Sequence, residues 1–199
     1  MLAGDTANLA DLVRDNPAAA AAYLTEKFEE NDISKAQAAL STVMRAQNVQ
    51  ILARDAGLRR DALYRTFGGR IDPQLSRVLK LFDSMDVRAL IVSTSSVDGS
   101  EAIAAQLCEA FAENNPDDAI RALSAVAKSQ NVPALALAVG IQRTSVYKTF
   151  GGSVDPQLGR VLNLFRALQL RFTVVPGQPK VRLPRPRLGR PPKTRDRPD

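Results

Sequence analysis

The chain has 199 residues, 45% of them apolar, with 27 Lys/Arg against 21 Asp/Glu, no histidine and one cysteine. That is enough apolar material for a packed core in one domain or two small ones, and the lone Cys108 excludes an intramolecular disulfide and suits a reducing compartment. The net charge of +6 lies wholly beyond residue 175, because Pro176 to Asp199 hold eight basic and two acidic residues while residues 1–175 hold 19 of each. The folded part must therefore be judged on its pattern rather than on its charge.

The N-terminal arm, residues 1–17, lacks the basic start and unbroken apolar run of a signal peptide. No stretch reaches the ~18 apolar residues of a membrane span, so a cytoplasmic, nucleoid-associated protein is expected. From residue 18 onward a unit appears that returns 83 positions later: residues 18–92 align without a gap with residues 101–175. Within it, "YRTFGGRIDPQLSRVLKLF" (64–82) and "YKTFGGSVDPQLGRVLNLF" (147–165) share 14 of 19 residues. The domains are read as 18–92 and 101–175, joined by the polar, small-residue linker 93–100 and followed by a tail, 176–199.

Each unit opens with a helix that sets Leu24 and Phe28, or Leu107 and Phe111, one turn apart. A second helix is capped by Asp32 in the first copy and by Asn115 with Pro116 in the second. Its inward face is Ala36, Leu40 and Val43, then Ala119, Leu123 and Val126. Two short helices follow, from Val49 and from Val132, with a small residue (Ala53, Ala136) four positions before a glycine (Gly57, Gly140), then an apolar residue (Leu58, Ile141) and an inward Leu63 or Val146. That is helix-turn-helix spacing: the alanine lets two helices cross closely, the glycine takes the positive φ of the turn, and the apolar residues lock the second helix. The glycine pairs that follow, at 68–69 and 151–152, read as C-caps.

A last helix opens at Asp72-Pro73 and at Asp155-Pro156, with both aspartates read as its N-caps. Leu75, Val78, Leu79 and Phe82 then follow i, i+3, i+4, i+7 spacing, as do Leu158, Val161, Leu162 and Phe165. Each unit ends in a β-branched segment, residues 87–92 and 170–175, short enough to be a single strand. A lone strand leaves backbone groups unpaired, and the other copy offers it a partner. The expected fold is mainly all-α: two tandem helix-turn-helix domains, each ending in a short strand.

"LARDAGLRRDALYRTF", the Asp-Pro helix start, "VLKLF" and the closing strand together resemble the bacterial addiction-module antidote proteins, HigA-like antitoxins with a lambda-repressor-like helix-turn-helix. The resemblance covers nearly all of each repeat but neither the arm nor the tail. The chain departs from it in being a fused tandem with a basic extension. What the resemblance implies is DNA binding, with a toxin protein as a second partner.

On the second helix of each motif the outward residues are Arg59, Arg60, Asp61, Ala62 and Arg65 in one copy and Gln142, Arg143, Thr144, Ser145 and Lys148 in the other. The frame is kept and the outer face changes. Recognition helices reach base edges through their N-terminal residues, where arginine matches guanine and glutamine matches adenine; drift of exposed positions gives the same pattern. Tyr64 and Tyr147 suit either donation to phosphates or packing at the domain edge.

The Pro/Arg-rich tail cannot bury enough apolar surface to offset the entropy of ordering and is expected to be disordered. In it, "PRLGRPPK" (186–193) resembles an AT-hook, with Leu188 where the first core arginine belongs. Arg185, Arg187, Gly189, Arg190, Pro191 and Lys193 are its candidate DNA contacts, by minor-groove insertion or by nonspecific phosphate binding. With no histidine, no phosphate-cradling glycine loop and no metal-ligand spacing, the sequence points to no enzyme, no cofactor and no metal. It leaves two readings: a sequence-specific transcriptional regulator, contacting double-stranded DNA and the transcription machinery, and an antitoxin that binds a toxin and autoregulates its operon. Either could act as a single-chain pseudo-dimer or as a homodimer.

Overall fold

In the computed structural model, which describes residues 9–95 and 99–178, a short helix α1 (9–13) leads into the first repeat. That repeat runs α2 (Pro17–Phe28), α3 (Ile33–Ala46), α4 (Val49–Asp55), α5 (Arg60–Phe67), α6 (Leu75–Ser84) and β1 (Val87–Ser93). The second repeats the order as α7 (Ser100–Phe111), α8 (Pro116–Ser129), α9 (Val132–Val139), α10 (Arg143–Phe150), α11 (Leu158–Ala167) and β2 (Leu170–Pro176). Local chemistry sets the starts. The Asp32 carboxylate accepts from Lys35 N at 3.0 Å, Asn115 Oδ1 accepts from Asp117 N at 3.0 Å, and Asn48 and Asn131 cap α4 and α9 in the same way. Each strand is one residue longer than its sequence pattern suggests, and α7 begins at Ser100, so residues 94–99 connect the two repeats.

The strands pair antiparallel, from Val87 opposite Pro176 to Ser93 opposite Leu170, and the middle of the ladder sets Leu90 opposite Thr173. Those two residues occupy the same position in their repeats. The same holds at a second place, where Gln74 and Gln157 form an isolated bridge. Contacts between the repeats come in reciprocal pairs: Leu75 N donates to Pro156 O and Leu158 N to Pro73 O, both at 2.8 Å, while Asn31 Nδ2 donates to Leu170 O and Asn114 Nδ2 to Val87 O, also at 2.8 Å. Equivalent residues facing one another, with i meeting j and j meeting i, define an isologous interface about a pseudo-two-fold axis. One chain thus builds what two copies of a single unit would build as a dimer.

The core follows from this exchange. Helix α2 packs on β2 and α7 on β1, so each repeat's first helix covers the other repeat's strand. Phe172 is fully buried near the axis, with ring centroids 5.2 Å from Phe28, 6.2 Å from Phe82, 6.2 Å from Phe111 and 6.0 Å from Phe165. The equivalent position in β1 is Ala89, also fully buried. A single aromatic ring therefore fills space that both repeats line. Val13 of α1 joins the same core, and Gln47 Nε2 donates to Val13 O at 2.8 Å, which docks α1.

Asp72 and Asp155 do not cap their own helices. The N-cap positions of α6 and α11 are Gln74 and Gln157, neither with a side-chain cap, and the aspartates reach across the axis instead. Gly159 N donates to both Asp72 oxygens, at 3.0 and 3.2 Å, and Ser76 donates to Asp155 from N at 3.2 Å and from Oγ at 2.6 Å. The proline disfavours helical backbone at the aspartate before it, and Gln74 and Gln157 after it are extended with ψ 145°, so each aspartate lies three residues ahead of its own helix. The repeats differ at this contact: Gly159 stands where the first repeat has Ser76, and a Cβ on Gly159 would lie 2.6 Å from Asp72 Oδ2 and 3.2 Å from Ile33 Cγ1.

Burial holds the Asp72 carboxyl above its ordinary pKa of 3.8, against the opposing pull of the Gly159 amide and Arg160. Because the folded state binds this proton more tightly than the unfolded chain, the group's contribution is fully present below its ordinary pKa and disappears as pH rises through the raised value. Asp72→Asn keeps an oxygen for Gly159 N and removes the titration. Urea midpoints of the variant and the parent should converge at acid pH and separate in the variant's favour toward neutrality, whereas Asp72→Ala, which removes the acceptor for Gly159 N, should cost about 1 kcal/mol.

Candidate nucleic-acid interface

The sequence-derived helix pairs form as two short helices joined at a glycine. Gly57 has φ +62° and Gly140 φ +71°, values that a side chain disfavours. Leu58 N donates to Ala53 O at 2.8 Å and Ile141 N to Ala136 O at 3.0 Å, closing each turn over its buried alanine. Leu63 and Val146 then pin the second helix to the core. At its far end Gly68 and Gly151 are the C-caps; a Cβ on either would strike the carbonyl oxygen of Tyr64 or Tyr147, and the following glycine takes the positive φ.

What this leaves outside is the set singled out from sequence. Arg59, Arg60, Asp61 and Arg65 on α5 are exposed, as are Gln142, Arg143, Thr144 and Lys148 on α10, while Ser145 is half-buried. Tyr64 and Tyr147 are 41% and 46% exposed, which suits either phosphate donation or packing at the domain edge. Arg59 and Gln142 stand at the N-caps, and neither side chain caps its helix. Arg59 Nε donates to Asp61 Oδ1 at 3.1 Å, and the Arg60 guanidinium lies 5.9 Å from the Tyr64 ring centroid. The two helix pairs keep the same contacts within their own repeats, α5 on α3 and α4, α10 on α8 and α9, so the pseudo-two-fold axis relates them.

A family model described as "Probable addiction module antidote protein" matches residues 5–94 and again residues 91–176. The chain belongs to this family. Both matches reach across a whole repeat, and the first takes in residues 5–17 of the arm, in keeping with the burial of Val13. An uncharacterized protein of Haemophilus influenzae is 33% identical over 66 residues, 33% of this chain and 68% of that protein. No solved structure matches the chain.

Two features of the chain's outer surface went unread in the sequence. Arg54 of α4 is exposed and paired to Asp55 at 2.7 Å, and its counterpart in α9 is Leu137, 85% exposed. Arg70, just beyond the glycine pair, is exposed where the second repeat has Ser153. Aligning the repeats position by position would have exposed both. The tail candidates Arg185, Arg187, Gly189, Arg190, Pro191 and Lys193 lie outside the described residues. Among the described residues no helix is long and apolar enough to cross a membrane.

Proposed function

We propose that the chain is the antidote of a toxin–antidote pair and that it regulates its own operon by binding double-stranded DNA through α5 and α10. In this reading α4–α5 and α9–α10 are HigA-like, lambda-repressor-like helix-turn-helix motifs. The observation that carries it is the pairing of equivalent residues on one axis, Leu90 with Thr173 and Gln74 with Gln157, which presents two outward helices with two-fold symmetry from one chain. Motifs of this kind bind half-sites one helical turn apart, ~34–36 Å on one face of the duplex. The toxin partner is supported by the family match. No step needs catalysis or a cofactor. Footprinting of the chain on the DNA upstream of its own gene, together with co-expression of the neighbouring open reading frame, tests both halves: protection of a site of about two helical turns and relief of growth arrest are expected.

A free-standing transcriptional regulator is the second reading. It is favoured by the fusion itself, since one chain already holds both helices that a regulator needs. A protected site with no toxin gene beside it would decide for the regulator.

The tail is assigned an auxiliary role through its charge. Ending the chain after Gln178 removes eight Lys/Arg and two Asp. Binding to every DNA sequence should weaken, and the log–log dependence of affinity on salt should flatten by about 0.9 for each phosphate that the shortened chain no longer neutralises, with discrimination between sites preserved. An unchanged slope would remove the tail from the interface.

A further inference from the structure

The two repeats agree inside and at the axis, and they part company on the face that points outward. At the N-terminus of α5, Arg59 and Asp61 form an ion pair at 3.1 Å with 85% and 63% of their side chains exposed. At the same positions of α10 stand Gln142 and Thr144, so both members of the pair have been replaced together. Between them the next residue is kept, Arg60 in one repeat and Arg143 in the other. An ion pair this exposed contributes little to folding, so stability does not account for its presence. Its effect is on geometry: a carboxylate holding Nε fixes the direction in which the rest of the guanidinium presents its donors.

That direction matters for reading a base. Guanine offers two acceptors, O6 and N7, to a fork of donors, whereas adenine offers one acceptor and one donor, which a glutamine amide matches. Asp61 is at the same time an acid on a face meant for a polyanion, where it lowers affinity for any duplex. A residue that costs general affinity and orients an arginine is suited to selecting sequence.

We propose that the chain reads an asymmetric operator in a single orientation: Arg59, positioned by Asp61, selects a guanine in one half-site, and Gln142 selects an adenine at the corresponding step of the other. This rests on the DNA-binding reading above and adds the sequence class that it recognises. A homodimer of single units cannot make this distinction, because true two-fold symmetry presents the same residues to both half-sites. Here the reciprocal backbone contacts, Leu75 with Pro156 and Leu158 with Pro73, hold the frame symmetric while one continuous chain lets the two faces differ. The C-terminal extension adds to the polarity, since it follows β2 only, whereas β1 leads on into α7.

The test is selection from a randomised duplex pool with the full-length chain, its R59Q/D61T and Q142R/T144D variants, and the variant carrying all four changes. The changed residues are exposed, and circular dichroism would verify that each variant is folded. The parent should enrich one site with unequal half-sites. R59Q/D61T should enrich a palindrome of the adenine type and bind the parent's site on the order of 10- to 100-fold more weakly. Q142R/T144D should enrich a palindrome of the guanine type, and the fourfold variant should enrich the parent's site with its half-sites exchanged. D61A separates orientation from mere structure: discrimination should fall at one base pair while binding to unrelated DNA rises. A parent that enriches a perfect palindrome, or swaps that leave the selected sequence unchanged, would overturn the proposal while leaving DNA binding intact. Enrichment of no sequence by the folded parent would remove both.

Discussion

Phe172→Ala is expected to destabilise the chain by about 3–5 kcal/mol and to loosen both repeats in one transition. The ring is fully buried and sits among four others, Phe28 and Phe82 from the first repeat and Phe111 and Phe165 from the second, with centroids 5.2 to 6.2 Å away. Truncating it removes apolar burial together with the edge and stacked ring packing, and it leaves a cavity that neither repeat can close alone. The position across the axis supplies a control. Ala89 is equivalent to Phe172, and the cage around the axis is made of equivalent pairs, Phe28 with Phe111 and Phe82 with Phe165. Adding Ala89→Phe to Phe172→Ala should therefore recover part of the stability, while Ala89→Phe alone overfills the cage and destabilises. Denaturant unfolding followed by circular dichroism measures both. Separate transitions for the two repeats, or a destabilisation below ~1 kcal/mol, would mean that the core is not shared.

The sequence shows the helices of this fold plainly because their signals are local. Apolar spacing at Leu75, Val78, Leu79 and Phe82 and caps such as Asp32 act within a turn or two, and the structure buries the first four and places Asp32 at its cap. The strands are visible too, and the need of each for a partner points to their pairing. The roles of Asp72 and Asp155 are hidden. An aspartate before a proline at a helix start reads as a local cap, and only the arrival of the other repeat's helix, 87 and 79 residues away in sequence, shows where its oxygens go. Asn31 and Asn114 are hidden in the same way: both take positive φ, 51° and 52°, to end a helix, and both donate to the other repeat's strand. At the interface, the exposed residues of α5 and α10 could be named from spacing alone, whereas the Arg59–Asp61 pairing required coordinates, since residues two apart do not ordinarily face one another on a helix.

Arg60→Ala and Arg143→Ala should each weaken binding at the specific site by ~1–3 kcal/mol, and the double variant by ~2–6 kcal/mol. Each arginine is the first residue of its helix and exposed, so its removal leaves the buried core intact. The two effects should add because the residues belong to separate helices with no shared partner. Comparing specific with unrelated DNA then separates the kinds of contact. A base contact lowers only the specific affinity, whereas a phosphate contact lowers both and reduces the salt slope by about 0.9. Arg60, lying over Tyr64, is partly ordered before it meets DNA, and its removal should be felt at least as strongly as that of Arg143. If Arg143→Ala leaves specific binding untouched while Arg60→Ala abolishes it, the second repeat is not a reader of DNA. Its symmetry would then be a scaffold that holds one reading helix, and the apolar Leu137 face would remain the feature of that repeat to be explained.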